Sequence, residues 1–179
     1  RNTHPKNIIS RFEMSQMRSL IPLAALLIAA AVAHSCNTSG CTDNQSALPL
    51  AGYYSSSSGA EISVADMTVS GQGAPGASAL YGPSETRSEV YLPFRSDADR
   101  TVWLFTYAPD GSNPVTDRIE FTYTSEPYFA SEECGAMYFY RITSMTHSTN
   151  LIDSVVITDS LITNVNNQRI KIYFRTADI

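Results

Sequence analysis

Apolar positions along this chain follow two patterns. Residues 20–33 (LIPLAALLIAAAVA) form one uncharged run, nearly all apolar. From residue 48 onward the apolar residues come in short runs, several alternating with polar ones. A period of two marks strands that bury one face. Ile119, Phe121 and Tyr123 alternate with Arg118, Glu120 and Thr122. Ile170, Ile172 and Phe174 alternate with Lys171, Tyr173 and Arg175. No long stretch after residue 48 carries a helical period.

Eight strands are predicted, at 48–54, 62–69, 89–94, 101–108, 118–123, 134–145, 152–158 and 169–175. Pro49 and Gly52 weaken the first, which points to a sheet edge. The run 101–108 (TVWLFTYA) is apolar on both faces, which suits a central strand covered on both sides. Residues 71–83 read as the longest loop and 125–133 as an irregular connection. The expected fold is all-β: a single antiparallel β-sandwich, Ig-like or similar, of about eight strands, preceded by a signal-peptide helix.

The first apolar run has the form of an export signal. Arg18 follows Met17, the apolar middle follows, and small residues close it. Its 14 residues fall short of the roughly 20 that span a bilayer as a helix. Two cleavage sites compete. Ala31-Val32-Ala33 is an A-x-A site that would release a chain starting at His34. Ala33-His34-Ser35-Cys36 resembles a bacterial lipobox, in which the cysteine becomes the lipidated first residue. His34 and Ala33 depart from the residues usual at their positions. The expected organisation is an upstream segment 1–16, a lipoprotein signal 17–35, a tether 36–47 and an all-β domain 48–179.

Cysteine count favours the lipobox. The chain has three cysteines, Cys36, Cys41 and Cys134. Lipid on Cys36 leaves an even number, and Cys41 can then pair with Cys134 in an oxidising compartment. That bond would close a long loop, worth roughly 4–5 kcal/mol of chain entropy before any strain.

From Cys36 on, eight basic residues face sixteen acidic ones, a formal charge of −8. No basic stripe is visible, so no nucleic-acid partner is expected. Gly71, Gly73 and Gly76 spell G-x-G-x-x-G, but Pro75 inside it and Gly82-Pro83 after it leave no room for the helix a dinucleotide needs. His147 is the only histidine after the leader, too little for a Cys134-based nucleophile or a zinc site. Asp97, Asp99, Asp110 and Asn113 lack the spacing of a calcium loop and read as turn formers. No catalytic residue, metal or cofactor is expected. Alternation places Tyr138 and Tyr140 on one face of a strand, a possible ligand face.

Several short motifs carry a resemblance: Tyr53-Tyr54, Gly71-Gln72-Gly73-Ala74-Pro75, Val90-Tyr91-Leu92-Pro93, Glu126-Pro127-Tyr128-Phe129, Glu133-Cys134, Ala136-Met137-Tyr138 and Ile170-Lys171-Ile172-Tyr173-Phe174. Over most of residues 41–175 the chain resembles a family of small Bacteroidota lipoproteins classed as a domain of unknown function, family 6452. The resemblance implies an envelope lipoprotein with two paired cysteines and a β fold, and no activity. The expected role is a non-enzymatic binding or structural module, held to the membrane by Cys36 and meeting an envelope protein or glycan. A hydrolase acting on glycan or peptide is the alternative. The expected place is the periplasmic face of the outer membrane, with secretion to the periplasm as the alternative.

Overall fold

The computed structural model describes residues 46–109 and 113–176. Ten strands run in order: β1 Leu50–Ser55, β2 Met67–Gly71, β3 Ala79–Tyr81, β4 Glu89–Tyr91, β5 Arg100–Tyr107, β6 Val115–Ser131, β7 Gly135–His147, β8 Ile152–Ile157, β9 Leu161–Ile162 and β10 Gln168–Phe174. They form a four-stranded sheet, β4-β1-β10-β8, and a six-stranded sheet, β3-β2-β5-β6-β7-β9. Pro75–Ala77 form a three-residue 3-10 turn, and among the described residues no helix is long and apolar enough to cross a membrane. The expected signal-peptide helix lies outside the described residues.

The all-β expectation stands, with corrections of detail. β3 and β9 add two strands to the eight, each too short to show a period. The sheets are not wholly antiparallel, because β1 pairs with β10 in parallel. Nor is β1 at an edge; it lies between β4 and β10. Pro49 stands just before the strand, where its missing N–H costs nothing, and its carbonyl accepts from Leu92 N at 2.9 Å. Gly52 leaves room for Gln168: a Cβ there would lie 2.1 Å from its Nε2, so the amide would have to shift. Gln168 is held in turn by the Tyr54 hydroxyl, which donates to its Oε1 at 2.6 Å.

β5 is central, as its apolar run suggested, flanked by β2 and β6. Only one of its faces is deeply buried, through Trp103 and Phe105, while Val102 and Leu104 are half-buried. The two sheets share one core. Tyr53 of β1 meets Phe105 of β5 edge-on across it, at 6.5 Å between ring centroids, and Phe174 of β10 at 5.1 Å. Strands β4 and β5 belong to different sheets, so residues 92–99 cross from one to the other.

The connection expected at 125–133 is instead strand. β6 runs 17 residues and pairs with β7 as far as Ser131↔Gly135. β5 reaches only Thr122 of β6, and β9 pairs only with Tyr140 and Arg141 of β7. Beyond those limits β6 and β7 continue as a two-stranded ribbon. Pro127 is tolerated there because one side of β6 has no neighbour to receive an N–H.

Candidate functional site: a groove beside Trp103

An open groove of about 850 Å³ lies where β2 ends against β5. Its size suits a small ligand. One wall is the start of the expected long loop. Gly71 pairs with Trp103, Gln72 N donates to Val102 O at 2.9 Å, and Ala74 N donates to Gly71 O at 3.1 Å. Gly73 turns the loop at φ 78°, a backbone region that side chains disfavour. The loop rests on the indole: a Cβ added to Gly71 would touch Cζ3 of Trp103 at 3.6 Å.

The opposite wall is Pro93, Phe94 and Arg95, from the crossing between sheets. Aromatic residues hold it in place. Phe94 stacks flat on Tyr123 with centroids 4.2 Å apart, and meets Tyr140 edge-on at 5.6 Å. The Tyr123 hydroxyl accepts from Arg95 N at 3.0 Å, and lies 3.1 Å from Arg95 O and 2.7 Å from Thr101 Oγ1.

Trp103 is only 7% exposed, and among the described residues its buried Nε1 has no hydrogen-bond partner. A buried donor left unpaired costs about 1–3 kcal/mol. Around the groove stand three guanidiniums, Arg95, Arg100 and Arg118. Arg95 is bidentate to Asp97, at 3.0 and 2.8 Å, and that hydrogen bonding holds Asp97 below the usual carboxylate range. Glu120 serves two cations. It pairs closely with Arg118, whose hydrogen bond is the main cause of its lowered pKa, and more loosely with Arg100 at 3.5 Å. Arg118 Nε also reaches Gln72 Oε1 at 3.5 Å, which links the loop to β6. Among the described residues no Asp, Glu, His or Cys lines the groove. Its apolar walls and cationic rim suit binding of an anion-bearing ligand.

Other expected sites fall elsewhere. Cys36 and Cys41 lie outside the described residues, as does Asp110. Cys134 sits in the turn between β6 and β7, with its amide donating to Ser131 Oγ at 3.1 Å, and it is not a free thiol. It stands just before the first residue of β7 and His147 is the last, roughly 40 Å apart at 3.3 Å per residue. Those two do not meet. The His147 ring instead bonds Ser148 O at 2.8 Å.

The proposed tyrosine face is corrected. Tyr138 is 43% exposed on the ribbon, whereas Tyr140 is 8% exposed and belongs to the core, its hydroxyl donating to Phe94 O at 3.4 Å. The two residues share a parity, but the ribbon twists as it leaves the body, and the buried parity changes to Met137. The ribbon's exposed aromatics are Tyr128, Phe129 and Tyr138, with Tyr128 stacked on Phe139 at 4.2 Å.

The loop glycines had drawn attention in the sequence; the three arginines and Trp103 had not. They come from two strands and a crossing, and only the register Leu104↔Arg118 and Val102↔Glu120 brings them to one place. Among the described residues no three His, Cys, Asp or Glu side chains cluster to hold a metal.

Residues 66–174 match the family described as "Family of unknown function (DUF6452)". The chain belongs to the DUF6452 family. The DUF6452 segment runs from the residue before β2 to the last residue of β10. It therefore holds the whole six-stranded sheet and the groove. β1 lies before it, although β1 is central to the four-stranded sheet. No curated protein and no solved structure matches the chain.

Proposed function

We propose that this DUF6452 protein is a lipid-anchored binding module of the bacterial cell envelope, a β-sandwich whose ligand enters the groove beside Trp103. The groove carries the binding reading: about 850 Å³, apolar walls and a cationic rim. Among the described residues its lining offers no carboxylate, thiol or imidazole for a hydrolytic step, and binding is proposed over hydrolysis of glycan or peptide.

Support for the anchor is in the sequence: an apolar run too short to span, then a lipobox-like Ala33-His34-Ser35-Cys36. Lipid on Cys36 leaves Cys41 to pair with Cys134, which is not a free thiol. The periplasmic face of the outer membrane is the proposed place, in a Bacteroidota-type envelope. Residues 37–40 (NTSG) carry no acidic cluster after the lipidated position.

Intact mass of the membrane-fraction protein tests the anchor. The expected mass starts at Cys36 and includes acyl chains, and Cys36→Ser sends the protein to the soluble fraction. A chain starting at His34 overturns it. Non-reducing peptide mapping should show Cys41 joined to Cys134. Turnover of envelope glycan or peptide by the purified protein would overturn the binding reading.

A further inference from the structure

We infer that the groove beside Trp103 takes a small organic anion, a carboxylate or phosphate head on an apolar body. This rests on the binding reading above and names its ligand class.

Charge distribution is the first argument. From Cys36 on, acidic residues outnumber basic ones sixteen to eight, and seven of the basic residues are arginines. Three of those seven line this groove, where no acidic residue does. Among the described residues two carboxylates, Asp97 and Glu120, pair with the three guanidiniums from outside the lining. Glu120 is divided between Arg118 and Arg100, and its contact with Arg100 is long, at 3.5 Å. Arg100 therefore keeps N–H donors to spare, and the rim has one positive charge in excess. A planar guanidinium fork with free donors suits a carboxylate or phosphate.

The walls supply the second argument. Pro75, Leu80, Pro93, Phe94 and Val102 are apolar, so a bare inorganic anion would leave most of the groove unfilled. A ligand with an apolar body removes that surface from water while its head meets the arginines.

Trp103 lines the same groove, so its ring reports on what enters it. A cation does not match the rim.

Trp103 is the only tryptophan, so intrinsic fluorescence reads the groove directly. The test titrates the folded, membrane-extracted protein with octanoate, octyl phosphate and octanol, each below its micellar concentration. Octanoate or octyl phosphate should change Trp103 emission saturably, and bind about tenfold or more tighter than octanol. Whichever head binds tighter identifies the source as carboxylate or phosphate. Arg100→Gln with Arg118→Gln should weaken the anions about tenfold and leave octanol unchanged, at unchanged circular dichroism. Equal binding of all three probes overturns the anion inference and leaves a binding groove. No saturable response to any of them overturns both.

Discussion

The buried carboxylate of Asp117 accepts the amide of Leu151 at 2.6 Å, joining β6 to the turn between β7 and β8. Asp117 is 1% exposed and also accepts from Ser148 Oγ at 2.5 Å, Asn150 N at 2.9 Å and Ile152 N at 2.9 Å. One side chain thus satisfies three amides of the turn that carries the chain from β7 to β8. Asp117→Ala leaves those amides without their acceptor and is expected to cost about 3–5 kcal/mol, read by urea unfolding. Asp117→Asn keeps one carbonyl oxygen and should cost less. A loss under about 1 kcal/mol for the alanine variant would show that the turn holds itself.

The same residue sets an acid dependence. Burial pushes its carboxyl pKa up, but hydrogen bonds from Ser148 and the amides of Ile152, Asn150 and Leu151 outweigh that and hold it below its ordinary value. In the unfolded chain it titrates near the usual value of about 3.9. Its stabilising contribution is therefore complete well above that value and is lost as pH falls through it toward the lower folded value. Melting temperatures between pH 6 and 3 should fall more steeply for the wild type than for Asp117→Asn. Parallel curves would remove Asp117 as a cause of acid sensitivity.

Tyr123 ties the groove wall to the core through its hydroxyl. Tyr123→Phe keeps the stack on Phe94 and removes the contacts to Arg95 and Thr101. The expected cost is about 1–2 kcal/mol in denaturant. The freed wall should also let acrylamide quench Trp103 more readily. Unchanged quenching would mean that ring packing alone positions residues 93–95.

Gly52 and Gln168 form a testable pair. In Gly52→Ala the new methyl group displaces the Gln168 amide and breaks its bond from Tyr54, an expected loss of about 1 kcal/mol. In a Gln168→Ala background the same substitution should be nearly neutral. Additive losses in that double-mutant cycle would rule out the clash as the cause.

Tyr138 and Tyr140 should differ sharply. Tyr138→Ser and Phe129→Ser, on exposed ribbon positions, are expected to change stability by no more than about 0.5 kcal/mol. Tyr140→Ser empties a core site and should cost about 3 kcal/mol or more. Equal effects would place both tyrosines on one face after all.

Strand positions were readable where a segment was long and faced water on one side. The alternation at 118–123 and 169–175 reappears in β6 and β10, because a period of two depends only on local backbone geometry. Asp117 left no such trace. Its partners are Ser148 and three amides more than thirty residues away, and backbone amides have no sequence signal. The groove was half legible. Gly71 and Gly73 announced a tight loop, but the arginines that give the loop a use reach it only through strand pairing.

By itself the sequence determined the β class, the strands long enough to show a period, the export-like leader and the DUF6452 resemblance. All of these are local: composition, alternation and short motifs. Tertiary structure decided that the first and last strands pair in parallel, that β6 runs on into a projecting ribbon, and that Tyr140 is core while Tyr138 is surface. It also decided that Trp103 and three arginines line one groove. Each of these depends on which distant strand lies alongside and in what register. A shift of one residue would turn every side chain to the other face, and no single segment carries that choice.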